Sequence, residues 1–460
     1  MKNSHAALLE YVKANMPRFR RELDGLLAIP SVSTEIARRH EVGRAAEWTA
    51  DALRALGCTR VESFATPGAP LVYGEIPPAG KAARTVLIYG HYDVQPVDPL
   101  ELWQSEPFQP TVRGEELFAR GASDMKGQIV AALKAVEAVL RTGGARPAFK
   151  FLFEGEEEIG STHLPEFIRT HRDLLACDLC LNPDAGMISP VLPTITYGLR
   201  GLAYFELRLR GPARDLHSGM YGGVVHNPAQ VLCELLAAMH EPSGRVALPG
   251  FYDAVRALDP EERRELARLP MDAGFYLQAT GAPALWTGEE GYTPFERVGA
   301  RPTLEVNGLF SGFTGEGSKT VLPAEAMAKI SMRLVPDQTP ELATSQLEAF
   351  LRERAPATVG WELKRLAGGP PSISARESDG VRALSRALGE VWGERPVFRR
   401  EGGSIPVVAY LQEHLGVESL LTGFSLPDDN AHSPNEKFDL GCFAKGQLMS
   451  AYLWQELSRV

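Results

Sequence analysis

Apolar positions fall into two textures along the chain. In the first part they come as short, nearly continuous runs: RTVLIYGHYD from Arg84 to Asp93, AFKFLFEGEE from Ala148 to Glu157, and DLCLNPD from Asp178 to Asp184. A run that is apolar at both alternating sets of positions and ends in polar residues predicts a strand covered on both faces, as in a parallel sheet. Between the runs, apolar residues recur at helical spacing, from Val42 to Leu56 with Gly57 as the stop, from Met125 to Leu140, and from His163 to Leu175. Strand and helix in alternation predict an α/β unit, a mostly parallel sheet flanked by helices.

The texture changes after Gly198. GLAYFELRLRG alternates apolar and polar side chains, which predicts an antiparallel strand with one wet face. Helices are expected near Pro228 to His240, Asp259 to Leu269 and Pro340 to Arg354, with strands near Thr303 to Leu309, Ala326 to Leu334 and Val359 to Leu366. GGPPS, at Gly368 to Ser372, is a turn, and the helical pattern from Phe443 to Leu457 returns to the first texture. The expected organisation is therefore a first unit made of residues 1–199 and 371–460, with an α+β unit at 200–370 inserted into it.

Composition narrows the classes. A chain of 460 residues exceeds one ordinary core, and 44% hydrophobic with 23% charged residues is a folding composition. Lys and Arg number 48 against 58 Asp and Glu, so 48 − 58 = −10, and no broad basic surface exists to hold nucleic acid. Five cysteines, Cys58, Cys177, Cys180, Cys233 and Cys442, are too few and odd in number for a disulfide framework, which points to a reducing compartment, the cytoplasm. The N-terminal stretch interrupts its apolar positions with charges, and no run reaches the roughly 18 apolar residues of a membrane span.

Ligands of open α/β sheets sit beyond the carboxyl ends of the strands. Acids and imidazoles gather there: His91 and Asp93 in GHYDVQP, Asp124 in RGASDMKG, Glu157 and Glu158 in EGEEEIGS, and Asp184 in LNPDAG. One imidazole among several carboxylates is a ligand set for zinc or manganese, and the collected negative charge calls for a cation. A second imidazole, His432 in AHSPNEK, would balance a second ion. Asp93, two residues past His91 on extended chain, is placed to hold the ring nitrogen.

These segments, together with LHSG, GEGSKTVLP, RLVP and REGGSIP, resemble the motifs of the M20 metallopeptidases, in particular the branch of cytosolic nonspecific and carnosine dipeptidases. The resemblance runs in order from Ile88 to Lys437. It implies two divalent ions per subunit, zinc first and manganese second, with His91, Asp124 and Asp184 on one and Asp124, Glu158 and His432 on the other. It implies Glu157 as general base on the metal-bridging water, once the register of the three glutamates is set on the trailing Gly-Ser, which leaves Glu156 without a role. It further implies a lid and dimerisation role for the inserted unit, a homodimer, His217 offered across the dimer contact to the developing oxyanion, and Thr320, Arg333 and Ser404 as substrate contacts. The expected reaction is hydrolysis of dipeptides or short peptides with a free C-terminus.

Ordinary explanations exist for single residues. Asp124 alone reads as a helix N-cap, Asp93 or Asp184 alone as a turn former, Glu156 to Glu158 alone as a solvated charge run. Together they fit a ligand set better. CDLC at Cys177 to Cys180 lies in an apolar strand without a second pair and reads as core cysteines, and GFTGEGSKT lacks the Gly-Lys step of a phosphate loop. His163, His171, His226, His240 and His414 have no constellation of their own. Two rivals stand beside the dipeptidase reading: an N-acyl amino acid deacylase of the acetylornithine or succinyl-diaminopimelate type, and a metal-loaded protein without catalysis.

Overall fold

The computed structural model describes residues 2–79, 84–143 and 146–458. The chain divides into two compact units: Met1–Tyr197 with Ser374–Arg399 and Val407–Val460, and Gly198–Ile373 with Arg400–Pro406.

In the first unit, strands follow the spatial order Arg60–Phe64, Leu71–Ile76, Ala148–Glu154, Thr85–His91, Leu179–Asn182, Glu418–Leu421 and Thr194–Leu199. The middle is parallel: Thr85–His91 pairs with Ala148–Glu154 on one side and Leu179–Asn182 on the other, and the latter pairs with Glu418–Leu421. Both flanks are antiparallel. The central run carries no exposed side chain from Val86 to Tyr89, as its unbroken hydrophobicity requires. Helix Lys126–Thr142 lies against it, and helices Lys2–Leu27 and Leu440–Leu457 pack on that helix in turn. Gly90 permits this approach, since a Cβ there would stand 2.7 Å from Cγ1 of Ile129. Helix Arg39–Leu56 ends at Gly57, whose φ of 96° only glycine adopts without strain. The stretch expected as one helix from His163 is two, Leu164–Thr170 and Arg172–Leu175, broken at His171.

The second unit holds a four-stranded antiparallel sheet in the order Thr303–Ser311, Glu325–Leu334, Gly201–Arg210 and Gly360–Gly369. Alternate residues of Gly201–Arg210 are buried, so Ala203, Phe205, Leu207 and Leu209 face a core covered by helices Pro228–Ala238 and Pro340–Arg354. Truncating Phe205 there would cost about 3–5 kcal/mol. The helices begin where the sequence offers caps: Asn227 accepts from the Ala229 amide and Thr339 from Leu342. Arg400–Pro406 belongs to this unit because Arg400 donates to Glu262 over 2.7 Å and the Ser404 hydroxyl donates to the Arg200 carbonyl over 2.5 Å. Among the described residues, no helix is long and apolar enough to cross a membrane.

Candidate active site

Five segments of the first unit converge at the carboxyl ends of its parallel strands. His91 ends Thr85–His91, Glu157 and Glu158 form a single helical turn after Ala148–Glu154, and Asp184 follows Leu179–Asn182 by two residues. Asp124 stands two residues before helix Lys126–Thr142. His432 arrives from the loop preceding Lys437–Asp439, with a φ of 62° that non-glycine residues seldom adopt.

His91 Nε2 lies 3.1 Å from Asp124 Oδ1 and 3.7 Å from Asp184 Oδ1. On the other side of Asp124, His432 Nε2 lies 2.9 Å from Oδ2 and 3.4 Å from Glu158 Oε2. Two groups thus share Asp124, and within each one every chosen donor atom is within 4.8 Å of the others: His91, Asp124, Asp184, and Asp124, Glu158, His432. Nitrogen and oxygen donors without sulphur, gathered around a shared carboxylate, fit a pair of divalent ions such as zinc or manganese.

The electrostatics agree. Burial pushes Glu158 up to about 9, helped by the Asp124 charge, and pushes Glu157 well above the carboxylate range, with Asp184, Glu154 and Asp124 adding to it. Burial opposes charge on His91 too, but Asp184, Asp124 and Asp93 outweigh it and hold the imidazole well above its ordinary value. The hydrogen bond to Asp124 lifts His432 to about 9. Asp124 alone sits below the carboxylate range, because both imidazoles overcome its burial. Without cations the cluster retains protons that ligation must displace.

The cluster is braced from below. Asp93 is fully buried, but the short contact of His91 Nδ1 is to its backbone carbonyl, at 3.1 Å, with the carboxylate at 3.5 Å. The Asp93 carboxylate instead accepts the amides of Glu157, at 3.3 Å, and Glu158, at 3.1 Å, so it sets the glutamate turn as well as the ring. Glu436, fully buried, accepts the amides of Gly121, Ser123 and Asp124 and the Arg120 guanidinium, all between 2.8 and 3.1 Å, and so fixes the loop that presents Asp124. Gln95 donates to Glu158 over 2.7 Å.

The three glutamates of EGEEEIGS are separated by environment. Glu156 turns away, accepting the Ala69 amide at 3.2 Å and facing His163 Nδ1 at 2.7 Å. It is a buried structural acid, not a solvated one, and His163 is its partner. Glu158 stands in a ligand group. Glu157 stands in neither, and among the described residues no hydrogen bond reaches its carboxylate. Sequence reasoning missed Glu436, Arg120, Gln95 and the Glu156–His163 pair. The signal for Glu436 was present in AHSPNEK, as an acid left over once His432 was assigned.

The second unit brings together the other expected residues in two pairs. His217 is exposed; its Nδ1 accepts the Gly219 amide at 3.1 Å, and its strand, Leu216–His217, pairs with Val321–Leu322 beside the exposed Thr320, whose carbonyl accepts the Ser218 amide. Arg333 donates to the Ser404 hydroxyl over 3.2 Å. His226 is half-buried and bonds Thr358 at 2.8 Å.

Comparisons with known proteins agree in kind. The model of "Peptidase family M20/M25/M40" matches residues 87–456. A Cys-Gly metallodipeptidase of Schizosaccharomyces pombe is 32% identical with 100% of both chains covered, and the human Beta-Ala-His dipeptidase is 30% identical over 98% of this chain and 92% of its own. Among solved structures, the M20 family metallo-carboxypeptidase Sso-CP2 of Sulfolobus solfataricus superposes with a TM-score of 0.86 at 31% identity, covering 96% of this chain and 99% of that one. The dipeptidase Dug1p of Saccharomyces cerevisiae gives 0.83 at 28% identity over the whole of both chains. With its motifs, architecture and paired ligand groups in agreement, the chain belongs to peptidase family M20/M25/M40.

Proposed function

We propose that this peptidase hydrolyses the amide bond of dipeptides or very short peptides with a free C-terminus. Its named relatives that act on dipeptides support the reading, but one observation carries it. Glu157 is a half-buried, uncommitted carboxylate beside two ligand groups that share Asp124. His91, Asp124 and Asp184 would hold one ion, and Asp124, Glu158 and His432 the other, zinc or manganese. When bound, such a pair supplies Lewis acidity toward the scissile carbonyl and toward water.

The remaining chemistry belongs to the chain. Glu157 Oε accepts the proton of the attacking water and returns it to the leaving amine nitrogen, a role for which a raised pKa and an unpaired carboxylate are suited. Asp93 holds both the His91 ring and the Glu157 amide, so ligand and base keep one geometry. His217 is assigned to the oxyanion, as a donor whose interaction strengthens as charge develops. Arg333, with Thr320 and Ser404, is assigned to the substrate, its planar fork matching the free carboxylate. A homodimer through the second unit and a cytoplasmic location complete the reading; the five cysteines are all free thiols.

The test is a panel of dipeptides, tripeptides and longer peptides beside N-acetyl and N-succinyl amino acids, run before and after chelation and again after restoring zinc or manganese. Dipeptide turnover that vanishes on chelation and returns with metal is expected. Turnover confined to the N-acyl amino acids would replace the reading with a deacylase, and turnover that resists complete chelation would end it.

A further inference from the structure

The two imidazoles of the candidate site are held in different ways. His91 ends the central strand, its side chain is 1% exposed, and its Nδ1 faces the Asp93 carbonyl at 3.1 Å. The His432 side chain is 55% exposed, and its Nε2 meets Asp124 and Glu158. Among the described residues no hydrogen bond reaches its Nδ1. A ligand imidazole is ordinarily oriented through its second nitrogen. Without that partner, the place of the His432 ring falls to the backbone that bears it.

That backbone is unfavourable on its own. Asn430, His432 and Asn435 have φ of 56°, 62° and 62°, left-handed values that residues other than glycine seldom adopt. Such a loop keeps its shape only where its surroundings impose it. The two residues Asn435 and Glu436 do so by separate routes. Glu436 is tied to the loop of Asp124 and to Arg120. Asn435 is tied elsewhere: its Oδ1 accepts the Gln104 amide and its Nδ2 donates to the Leu102 carbonyl, both at 2.8 Å. The segment it grips is itself anchored. Arg113 donates to the Gln104 side chain over 2.6 Å and to the Ser105 hydroxyl over 2.8 Å, and the Trp103 indole donates to the Val97 carbonyl over 2.7 Å. Arg113 ends strand Thr111–Arg113, which pairs with Glu116–Phe118 and through it with Lys437–Asp439, so the anchor returns to the chain just past the loop. The Asn430 side chain, by contrast, reaches only the Asn435 carbonyl, at 3.4 Å.

We propose that Asn435 is a positioning residue for the second ion: by clamping the loop to Leu102 and Gln104 it sets His432 against Asp124 and Glu158, separately from the Glu436 brace. The proposal rests on the two ligand groups of the reading above and deepens it. Asp124 keeps its own support, and His91 and Asp184 follow other strands. Loss of the Asn435 clamp therefore weakens one ion and spares the other.

Zinc titration of the full-length, chelated protein against a competing chromophoric chelator reads the two affinities, and His432→Ala marks which of them belongs to the second group. The decisive variant is Asn435→Gly. Glycine adopts a left-handed φ without strain, so this change removes the two side-chain hydrogen bonds and leaves the backbone at ease. Second-ion affinity should fall by about 10- to 100-fold, the range for groups that orient ligands, while first-ion affinity, which also reports that the protein is folded, stays unchanged. Asn430→Gly, at the other left-handed asparagine, should alter neither. Full second-ion affinity in Asn435→Gly, equal weakening of both ions, or the same loss in Asn430→Gly would overturn the proposal while leaving the paired groups in place. An unaltered protein that takes up fewer than two zinc ions would instead remove the paired-ion reading, and this proposal with it.

Discussion

Glu137 and Glu158 are both first-unit acids with little side-chain exposure, 12% and 3%, one in the helix Lys126–Thr142 and the other beside Asp124, just ahead of that helix. Their surroundings are opposite. Around Glu137 the chain supplies its own cations: Arg18 and Lys134 pair with it, the Tyr11 hydroxyl donates over 2.8 Å, and Lys134 also reaches Glu22. Burial would raise Glu137, but those partners pull it down to about 2. Around Glu158 the neighbours are Asp124, Asp93 and Glu157, with only imidazoles to oppose them, and it rises to about 9. Two unit charges 4 Å apart interact by about 4 kcal/mol at an effective dielectric near 20, so a cluster this acidic is stable only if protons or metal cations enter it. One set of acids is complete within the polypeptide; the other is built to receive cations.

The largest effect separates acids within EGEEEIGS. Glu157→Ala should lower kcat by about 10² to 10⁴-fold, the contribution of a general acid–base group, while both ions remain bound by elemental analysis. Glu156→Ala should leave kcat within a few-fold and instead lower thermal stability, since it removes the anchor of the Ala69 amide and of His163. The reverse pattern would move the base by one residue and break the distinction drawn between satisfied and unsatisfied acids.

Next in size is the brace. Glu436 touches no chosen donor atom, but it holds three amides of the loop that presents Asp124. Glu436→Gln keeps the shape while losing the charge that accepts them and Arg120, and metal affinity should fall by about 10- to 100-fold, as for other groups that orient ligands. Titration against a competing chelator measures it. Unchanged affinity would mean that the Asp124 loop needs no such support.

How much of this was legible beforehand depends on whether a signal was local. RTVLIYGHYD declared its strand and site because a doubly covered strand must be apolar throughout, and the Leu56 boundary was readable because Gly57 stands at a left-handed C-cap. Strands Leu71–Ile76 and Glu418–Leu421 gave no comparable sign: the first contains Gly74 and Glu75, and the second has only four residues. The ligands could be read because they follow recognisable motifs. AHSPNEK left Glu436 over as an unassigned acid, but its tie to Arg120 could not be read, because 316 residues separate two side chains that meet at 2.8 Å.

A smaller effect should differ in sign between the two clusters. Glu137→Gln removes a paired carboxylate and leaves Arg18 and Lys134 with Glu22 alone, costing about 1–3 kcal/mol with or without metal. Glu158→Gln removes a carboxylate from a crowded group, so the metal-free protein should gain stability while the metal-loaded state loses a ligand. Calorimetry of each variant, chelated and loaded, reads both signs. Loss of stability by both variants in the chelated state would show that the site acids are as well balanced as Glu137.

The smallest effect is the pH dependence, and its sign follows from the same contrast. Glu137 has a folded value of about 2 against 4.5 when unfolded, so its stabilisation is complete above pH 4.5 and is lost as pH falls toward 2. Glu154 and Glu158 are raised, mainly by burial, to about 8 and about 9. The folded, metal-free chain therefore holds protons that the unfolded chain has released between pH 4.5 and those values, and stability should fall as pH rises through that window. Chelated protein should accordingly melt highest near pH 5 and lose stability toward pH 9. With metal bound, cations take the place of the Glu158 proton and the decline on the alkaline side should shrink. A chelated melting temperature that stays level from pH 5 to pH 9 would mean that burial and neighbouring charges do not raise Glu154 and Glu158 in the folded protein, and the contrast with Glu137 would no longer hold.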